Sequence, residues 1–516
     1  MSLFDPASRL GRGAGALLAL AVAAGCAVHY AKYPRTPSTA LQEDRETTLA
    51  RLFEPAVAEH PGESGVVYMR YGRKALEARL ALADLAERSL DLQYYIWDPD
   101  VSGHLLADRI IRAADRGVRV RVLLDDHSIV DRDTAIAQLS AHPNIEIRAF
   151  NPFRNRSNRW MDFLTDPSRA NRRSHNKVMI ADNTIVIVGG RNIADHYFGV
   201  HGESNYRDLD TVAVGPVVRD ASAVYDDFWN SEFAVPYEAF VDTPPTRADT
   251  DAAIAQMRAQ MASERLPYPV DEEVAALTAD MKTVRDSLTW APVRVLYDPP
   301  EKAEARASHN IFSTLDALVS NAQSEVLIEN AYFVPRDHGV ELTAALHARG
   351  VKVRVLTNSL ASNDVLAVHS GYQKYRDDLL ENGVEIYELR PDSTMKQLRW
   401  SAVSAKSRAG LHTKAMVVDR RYVVVGSYNL DPRSADINTE LALLVDSPQF
   451  AEMVAEHFDD GIKPENSYRV TLERGRLRWT TSDGGTVRVY TEEPETSWWR
   501  RVKADALGLL PIHSML

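Results

Sequence analysis

The sequence predicts an α/β fold made twice: two copies of one domain, each with a mostly parallel sheet covered by helices, packed about a pseudo-twofold axis. Three observations predict it. The chain repeats itself, Arg116-Gly-Val-Arg-Val-Arg-Val-Leu123 returning as Arg349-Gly-Val-Lys-Val-Arg-Val-Leu356 at an offset of 349 − 116 = 233. His175-Asn-Lys177 returns as His412-Thr-Lys414 and Gly189 as Gly426, both 237 residues on, while Asp208, eight residues before Pro216, returns as Glu440, eight before Pro448. Landmarks in one order at nearly constant offset mark a duplicated domain. Finally, strand-like and helical segments alternate within each copy, the signature of strands joined by helical crossovers.

With 516 residues the chain has room for two or three core-forming units. Its 45% hydrophobic and 26% charged content is that of a globular protein, which excludes collagen-like and wholly disordered chains. The net charge of −12 argues against coating nucleic acid by bulk charge, so any phosphate binding has to be local.

Along the chain, Arg9 and Arg12 precede a small, apolar run from Gly13 that ends before His29. The run is shorter than the roughly 20 residues that span a bilayer core, and it reads as a signal-peptide core. Cys26 is the only cysteine, so no intramolecular disulfide can form. Ala23-Ala24-Gly25-Cys26 resembles a bacterial lipoprotein processing box, which implies acylation of Cys26 as a lipid anchor, although Ala23 stands where that family usually has Leu. A short uncleaved anchor is the alternative for residues 1–28, and either places the body of the protein at a membrane. Residues 29–64 read as a tether with one short helix, outside the core.

The first copy, 65–242, reads as strand Leu90 to Trp97, helix Leu105 to Arg116, strand Val118 to Leu124, helix Ala135 to Ala141 and strand Ile145 to Phe150. The second, 290–464, repeats the order with Val326 to Val334, Val340 to Ala348, Val351 to Thr357, Tyr372 to Glu381 and Val384 to Leu389. Between them, 243–289 is a linker or insertion with a helical stretch around Ala252 to Ala262. In 465–516, an alternating stretch broken by Asp483-Gly484-Gly485 reads as a hairpin. An amphipathic helix with Trp498, Trp499 and nearby Arg500, Arg501 and Lys503 follows, suited either to a membrane interface or to docking on the core.

Each copy carries one chemical motif: His175-x-Lys177-x4-Asp182 followed by Gly189-Gly190-Arg191-Asn192, and His412-x-Lys414-x4-Asp419 followed by Gly426-Ser427-Tyr428-Asn429. Residues two apart on a strand share a face, so an imidazole and an ammonium line one pocket. Two such units about one point supply what phosphodiester exchange through a covalent intermediate needs. One imidazole attacks phosphorus; the other protonates the leaving alcohol and then deprotonates the acceptor. Lys177, Lys414, Asn192 and Asn429 are the candidates to bind the phosphate oxygens. Asp182 and Asp419 complete the catalytic motif, with support through a structural salt bridge as their expected part. No metal and no cofactor is required.

This duplicated motif resembles the signature of the phospholipase D superfamily, over residues Leu85 to Phe458. The resemblance implies one active site between two α/β domains, a phosphohistidine intermediate and a carboxylate after each motif that orients a histidine, Asp208 and Glu440 here. It also implies His175 as nucleophile and His412 as acid/base, since the symmetry of the sequence does not separate them. Within the superfamily the chain resembles the bacterial cardiolipin synthases, the C type in particular. The segments that carry this are Gln93-Tyr-Tyr-Ile-Trp97, Gly189-Gly-Arg-Asn-Ile193, Tyr332-Phe-Val-Pro335, Leu356-Thr-Asn-Ser-Leu360, Asn363-Asp-Val365, His369-Ser-Gly-Tyr372 and Asp431-Pro-Arg-Ser434. The implied activity is a phosphatidyltransferase that moves a phosphatidyl group to the headgroup hydroxyl of phosphatidylglycerol, in the bacterial cell envelope. The implied partners are phosphatidylglycerol, with phosphatidylethanolamine as another donor, and the membrane surface; no nucleic acid is expected. Hydrolysis or headgroup exchange uses the same motifs and is the alternative, and a nuclease of the superfamily is a third reading. Seven Lys or Arg against two Asp from Arg154 to Lys177, and five against none from Ser393 to Lys414, read as basic approaches for anionic headgroups.

Overall fold

β-Branched runs become strands, and the apolar-periodic runs between them become helices, close to where the sequence marks them. The structure is a computed structural model that describes residues 33–41, 46–129, 131–263, 274–304, 310–393, 395 and 404–510. The strands up to the second domain are β1 (Ser64–Met69), β2 (Ser89–Tyr94), β3 (Arg119–Asp125), β4 (Ile145–Phe150), β5 (Val178–Ala181), β6 (Ile185–Gly189), β7 (Ser204–Arg207), β8 (Asp210–Val214), β9 (Ala234–Pro236) and β10 (Thr289–Ala291). Those that follow are β11 (Val293–Tyr297), β12 (Glu325–Asn330), β13 (Lys352–Asn358), β14 (Glu385–Leu389), β15 (Arg408–Leu411), β16 (Lys414–Val418), β17 (Tyr422–Gly426), β18 (Leu441–Asp446), β19 (Ser467–Glu473), β20 (Arg476–Asp483) and β21 (Thr486–Tyr490).

One sheet has the order β10-β1-β8-β6-β5-β2-β3-β4-β9, the other β11-β18-β17-β16-β12-β13-β14-β19-β20-β21. The expectation of mostly parallel sheets is corrected here: each sheet is mixed, and only β2/β3/β4 and β12/β13/β14 run parallel. The alternation of strands and helices does give those parallel pairs, through the crossover helices Val101–Asp115 and Arg336–Ala348. The motif strands instead follow one another through tight turns, which can only make antiparallel neighbours. In both turns the residues are left-handed, Asp182 and Asn183 in one, Asp419 and Arg420 in the other. The last motif residue is therefore a turn residue, and aspartate is among the few side chains that accept this backbone readily.

Residues 33–41 and 46–64 are more than a tether. Arg121 and Arg148 donate to the carbonyls of Ser38 and Thr36, Trp229 Nε1 donates to Ser38 Oγ, and helix Thr48–Glu59 buries Leu49, Leu52 and Phe53 in the first core. The insertion forms helices Arg247–Ser263 and Val274–Asp286, which cover the first domain through Ile254, Met261, Leu277 and Met281. The carboxy-terminal stretch adds β19, β20 and β21 to the second sheet, so it makes two hairpins where the sequence suggested one.

The two sheets share one apolar core: Val186, Val188 and Ala213 of the first domain cluster with Val417, Val423, Val425 and Leu443 of the second. The contacts across this boundary are reciprocal. The parallel pair β7/β15 includes Leu411↔Arg207, and an isolated bridge joins Ser174↔Thr439; the differences 411 − 174 = 237 and 439 − 207 = 232 are those of the sequence repeat. His175 N donates to Thr439 O at 2.9 Å, and His412 N to Arg207 O at 2.8 Å. Each histidine-bearing segment is thus anchored by the other domain.

Candidate active site

His175 and His412 enter the same cavity of about 500 Å³, which is also lined by Asn192, Asn429, Tyr95, Tyr197, Tyr206, Tyr332, Asp364 and Arg433. The orienting carboxylates are exchanged between the domains. Glu440 Oε2 lies 2.9 Å from His175 Nδ1, and Asp208 Oδ2 lies 2.7 Å from His412 Nδ1. A Nδ1–H donated to a carboxylate fixes the tautomer and leaves Nε2 as the basic nitrogen. Gly190 permits one of these contacts: a Cβ there would stand 2.2 Å from Asp208 Oδ1. The corresponding residue of the second domain is Ser427, whose hydroxyl donates to Glu440, as does that of Ser434.

Burial pushes His175 down to about 4; Lys177 adds to this, while Glu440 opposes it. Burial, then Lys414 and Lys177, push His412 well below the usual range. Both imidazoles are therefore neutral at pH 7. Glu440 is held below the usual carboxylate range, because its neighbours His175, Lys177 and Ser427 outweigh the burial that would raise it; burial raises Asp208. Burial also lowers both lysines, Lys414 to about 8, against the pull of Asp208 and Glu440.

Neither lysine forms the cavity wall. Each lies behind its histidine, Lys177 Nζ donating to His175 O at 2.6 Å and Lys414 Nζ to His412 O, with Nζ of Lys414 3.0 Å from His412 Nδ1. The amide of Asn192 is occupied, Oδ1 accepting from Ile96 N at 3.1 Å and Nδ2 donating to Tyr197 OH at 2.9 Å. Asn429 lines the cavity, and its Oδ1 is buried without a partner among the described residues.

Asp182 and Asp419 stand apart from the cavity, and among the described residues they make no salt bridge. Asp182 accepts from the backbone N–H of Glu87, Arg88 and Ser89, and Asp419 from those of Gln323, Ser324 and Glu325. Each ties its turn to the start of the neighbouring central strand. We expect Asp182→Asn to lower stability by about 1–3 kcal/mol, through weakened acceptance from three backbone donors, while kcat of the folded fraction stays within about threefold. Thermal melts and kinetics on the same preparation decide it: a collapse of kcat without loss of stability would return Asp182 to the chemistry.

The basic stretch before His175 is turned to internal partners rather than to the cavity. Arg156 pairs with Asp126 and Asp133, Arg169 with Asp162 and Asp166, Arg173 with Asp125, and Arg172 donates to Lys302 O and Asp436 O. Residues 396–403 of the second stretch lie outside the described residues, as does Cys26. The arginine on the cavity wall, Arg433, comes from Asp431-Pro-Arg-Ser434. Asp364 accepts from Tyr206 OH at 3.0 Å and Tyr332 OH at 2.9 Å, closing one side of the cavity across the domain boundary. Tyr95, Tyr332 and Asp364 belong to segments that carried the family resemblance without a stated part; Tyr197 and Tyr206 had no signal in the sequence.

Two domains of this design, with paired histidines facing one cavity, define an enzyme of the phospholipase D type. The family described as "Cardiolipin synthase, PLD-like domain" matches residues 80–228 and 315–461. Cardiolipin synthase C of Escherichia coli is 37% identical over 473 residues, 91% of this chain and 99% of that one. Cardiolipin synthase A of Buchnera aphidicola is 24% identical over 77% of this chain and 68% of its own length. The crystal structure of phosphatidylserine synthase from Haemophilus influenzae shares the fold, with a TM-score of 0.56 at 15% identity over 91% of this chain and all of that one. The chain belongs to the cardiolipin synthase family of phospholipase D-like phosphatidyltransferases. Among the described residues no helix is long and apolar enough to cross a membrane.

Proposed function

We propose that the protein makes cardiolipin, transferring a phosphatidyl group through a phosphohistidine to the headgroup hydroxyl of phosphatidylglycerol. One observation carries the reading: two imidazoles, each tied at Nδ1 to the other domain's carboxylate, face one cavity. Nε2 of His175 attacks phosphorus, the bond to the leaving headgroup oxygen breaks, and His412 supplies that oxygen with a proton. The hydroxyl of the acceptor then gives its proton to His412 and attacks phosphorus, and the P–N bond breaks. An entering phosphodiester anion raises both histidines and both lysines, so His412 gains its proton on substrate binding. Lys177 and Lys414 act by charge from behind the histidines, where low dielectric carries their field to the non-bridging oxygens. The choice of His175 as nucleophile is supported by Glu440, which stays ionised beside it and offsets positive charge on the ring. Asp182 and Asp419 hold the motif turns.

The test is mass-spectrometric lipid analysis after incubation with labelled phosphatidylglycerol in mixed micelles, with and without phosphatidylethanolamine, in excess EDTA. Labelled cardiolipin is expected, and a dependence on phosphatidylethanolamine would make that lipid the donor. Phosphatidic acid or an exchanged headgroup lipid alone would leave the histidine chemistry standing and remove the cardiolipin assignment.

A further inference from the structure

Two clusters of exposed apolar side chains, one from each domain, lie on helices tied to the neighbours of cavity-wall residues. On the second-domain side, helix Trp498–Gly508 is fixed by Arg500, which donates to Leu360 O at 2.9 Å and Asn363 O at 2.7 Å, beside Asp364 and Val365 of the cavity wall. Ser370 Oγ donates to Ala504 O at 2.8 Å, and Ala504 is buried. The helix is therefore docked on the core, yet Trp498 and Trp499 remain 57% and 65% exposed, and Leu509 and Leu510 are exposed at its far end. On the first-domain side, helix Trp160–Thr165 follows Arg159, which donates to Asp126 O at 2.6 Å. The next residue, His127, stacks on Tyr95 of the cavity wall with ring centres 6.0 Å apart. Trp160 and Leu164 of this helix are 56% and 66% exposed, and Phe163 is exposed between them.

Positive charge lies beside the second-domain cluster: Arg500 meets the carbonyls of Leu360 and Asn363 and Lys503 is exposed, while Arg501 pairs with Glu492. The arginines around Trp160 are paired with Asp126, Asp133, Asp162 and Asp166, so the first-domain cluster contributes its apolar side chains. We propose that the two clusters form one docking face that seats the cavity mouth on a lipid bilayer with anionic headgroups. The proposal rests on the reading that the substrates are membrane phospholipids. Indoles favour the headgroup layer, leucines reach below it, and cations pair with anionic lipid. The position selects a bilayer over a protein: a protein seated on both clusters would close the entrance to the cavity, whereas a bilayer covers the same residues and delivers substrate through it.

The test uses the full chain and vesicles of phosphatidylglycerol and phosphatidylcholine with brominated acyl chains. Fluorescence quenching is compared between the parent and Trp498→Phe/Trp499→Phe; the parent should lose an emission component on binding that the variant lacks. A second variant, Trp160→Ser/Leu164→Ser/Trp498→Ser/Trp499→Ser, should turn over vesicle-borne phosphatidylglycerol about tenfold more slowly, while turnover of a short-chain phosphatidylglycerol dissolved as monomer stays within about twofold. Equal quenching in parent and Trp→Phe variant, or equal loss on both substrates, overturns the proposal. So does concentration-dependent self-association of the parent that the serine variant abolishes, which would assign the face to a second copy of the chain. Because quenching is read without turnover, docking can be found even where the parent makes no cardiolipin.

Discussion

Replacement of His175 or of His412 by alanine is expected to lower phosphatidyl transfer by about four orders of magnitude while the fold stays intact. Both rings are buried among partners from the opposite domain, and in the proposed mechanism each does one irreplaceable thing: one forms the bond to phosphorus, the other moves the proton. The two variants separate when the leaving group needs no proton. With a p-nitrophenyl phosphodiester lipid, His412→Ala should release one equivalent of p-nitrophenol in a burst and retain a phosphatidyl adduct on His175, whereas His175→Ala should show no burst. The opposite pattern would exchange the two assignments. A burst in neither would remove the covalent intermediate, and substantial turnover of the natural lipid by either variant would sink the paired-histidine mechanism.

The sequence exposes the duplication and the histidines because both are local patterns: Arg116 to Leu123 recurs as Arg349 to Leu356, and His-x-Lys recurs 237 residues on. It leaves open which carboxylate serves which ring, since Asp208 and Glu440 each follow the histidine of their own domain by a similar interval. The exchange arises from packing. Only when β7 pairs with β15, and Ser174 with Thr439, does each carboxylate lie against the foreign ring. The sheet direction is lost for a related reason. Alternating strand and helix is the pattern of parallel sheets, and the hairpins β5/β6 and β16/β17 override it at the motif itself, where left-handed Asp182 and Asp419 turn the chain back. Charge counting along the chain likewise takes Arg156 and Arg173 for a phosphate approach, because their acidic partners Asp125, Asp126 and Asp133 come from other segments and are invisible to a count along one segment.

The exchanged carboxylates carry the second large effect. Asp208→Asn and Glu440→Gln should each lower kcat by about two to four orders of magnitude, because an amide can present its N–H to Nδ1 and select the wrong tautomer. A merely misplaced ring would lose rate at every pH alike, so the pH profile separates the two causes. In the free enzyme, the fall of kcat/KM that comes from the proton His412 must gain on binding should steepen on the alkaline side as Lys414 loses its own proton near pH 8. Burial depresses that lysine, and Asp208 is the largest charge holding its proton on, with Glu440 next. Removing the negative charge of Asp208 therefore lowers the pKa of Lys414 further and moves the alkaline limb to lower pH; Glu440→Gln should move it in the same direction by less. On the acid side no such movement is expected above pH 5 in the parent, since His175 stays neutral down to about 4. An alkaline limb left in place by Asp208→Asn would mean that Lys414 does not feel this carboxylate, and that the charge behind His412 is organised by other groups.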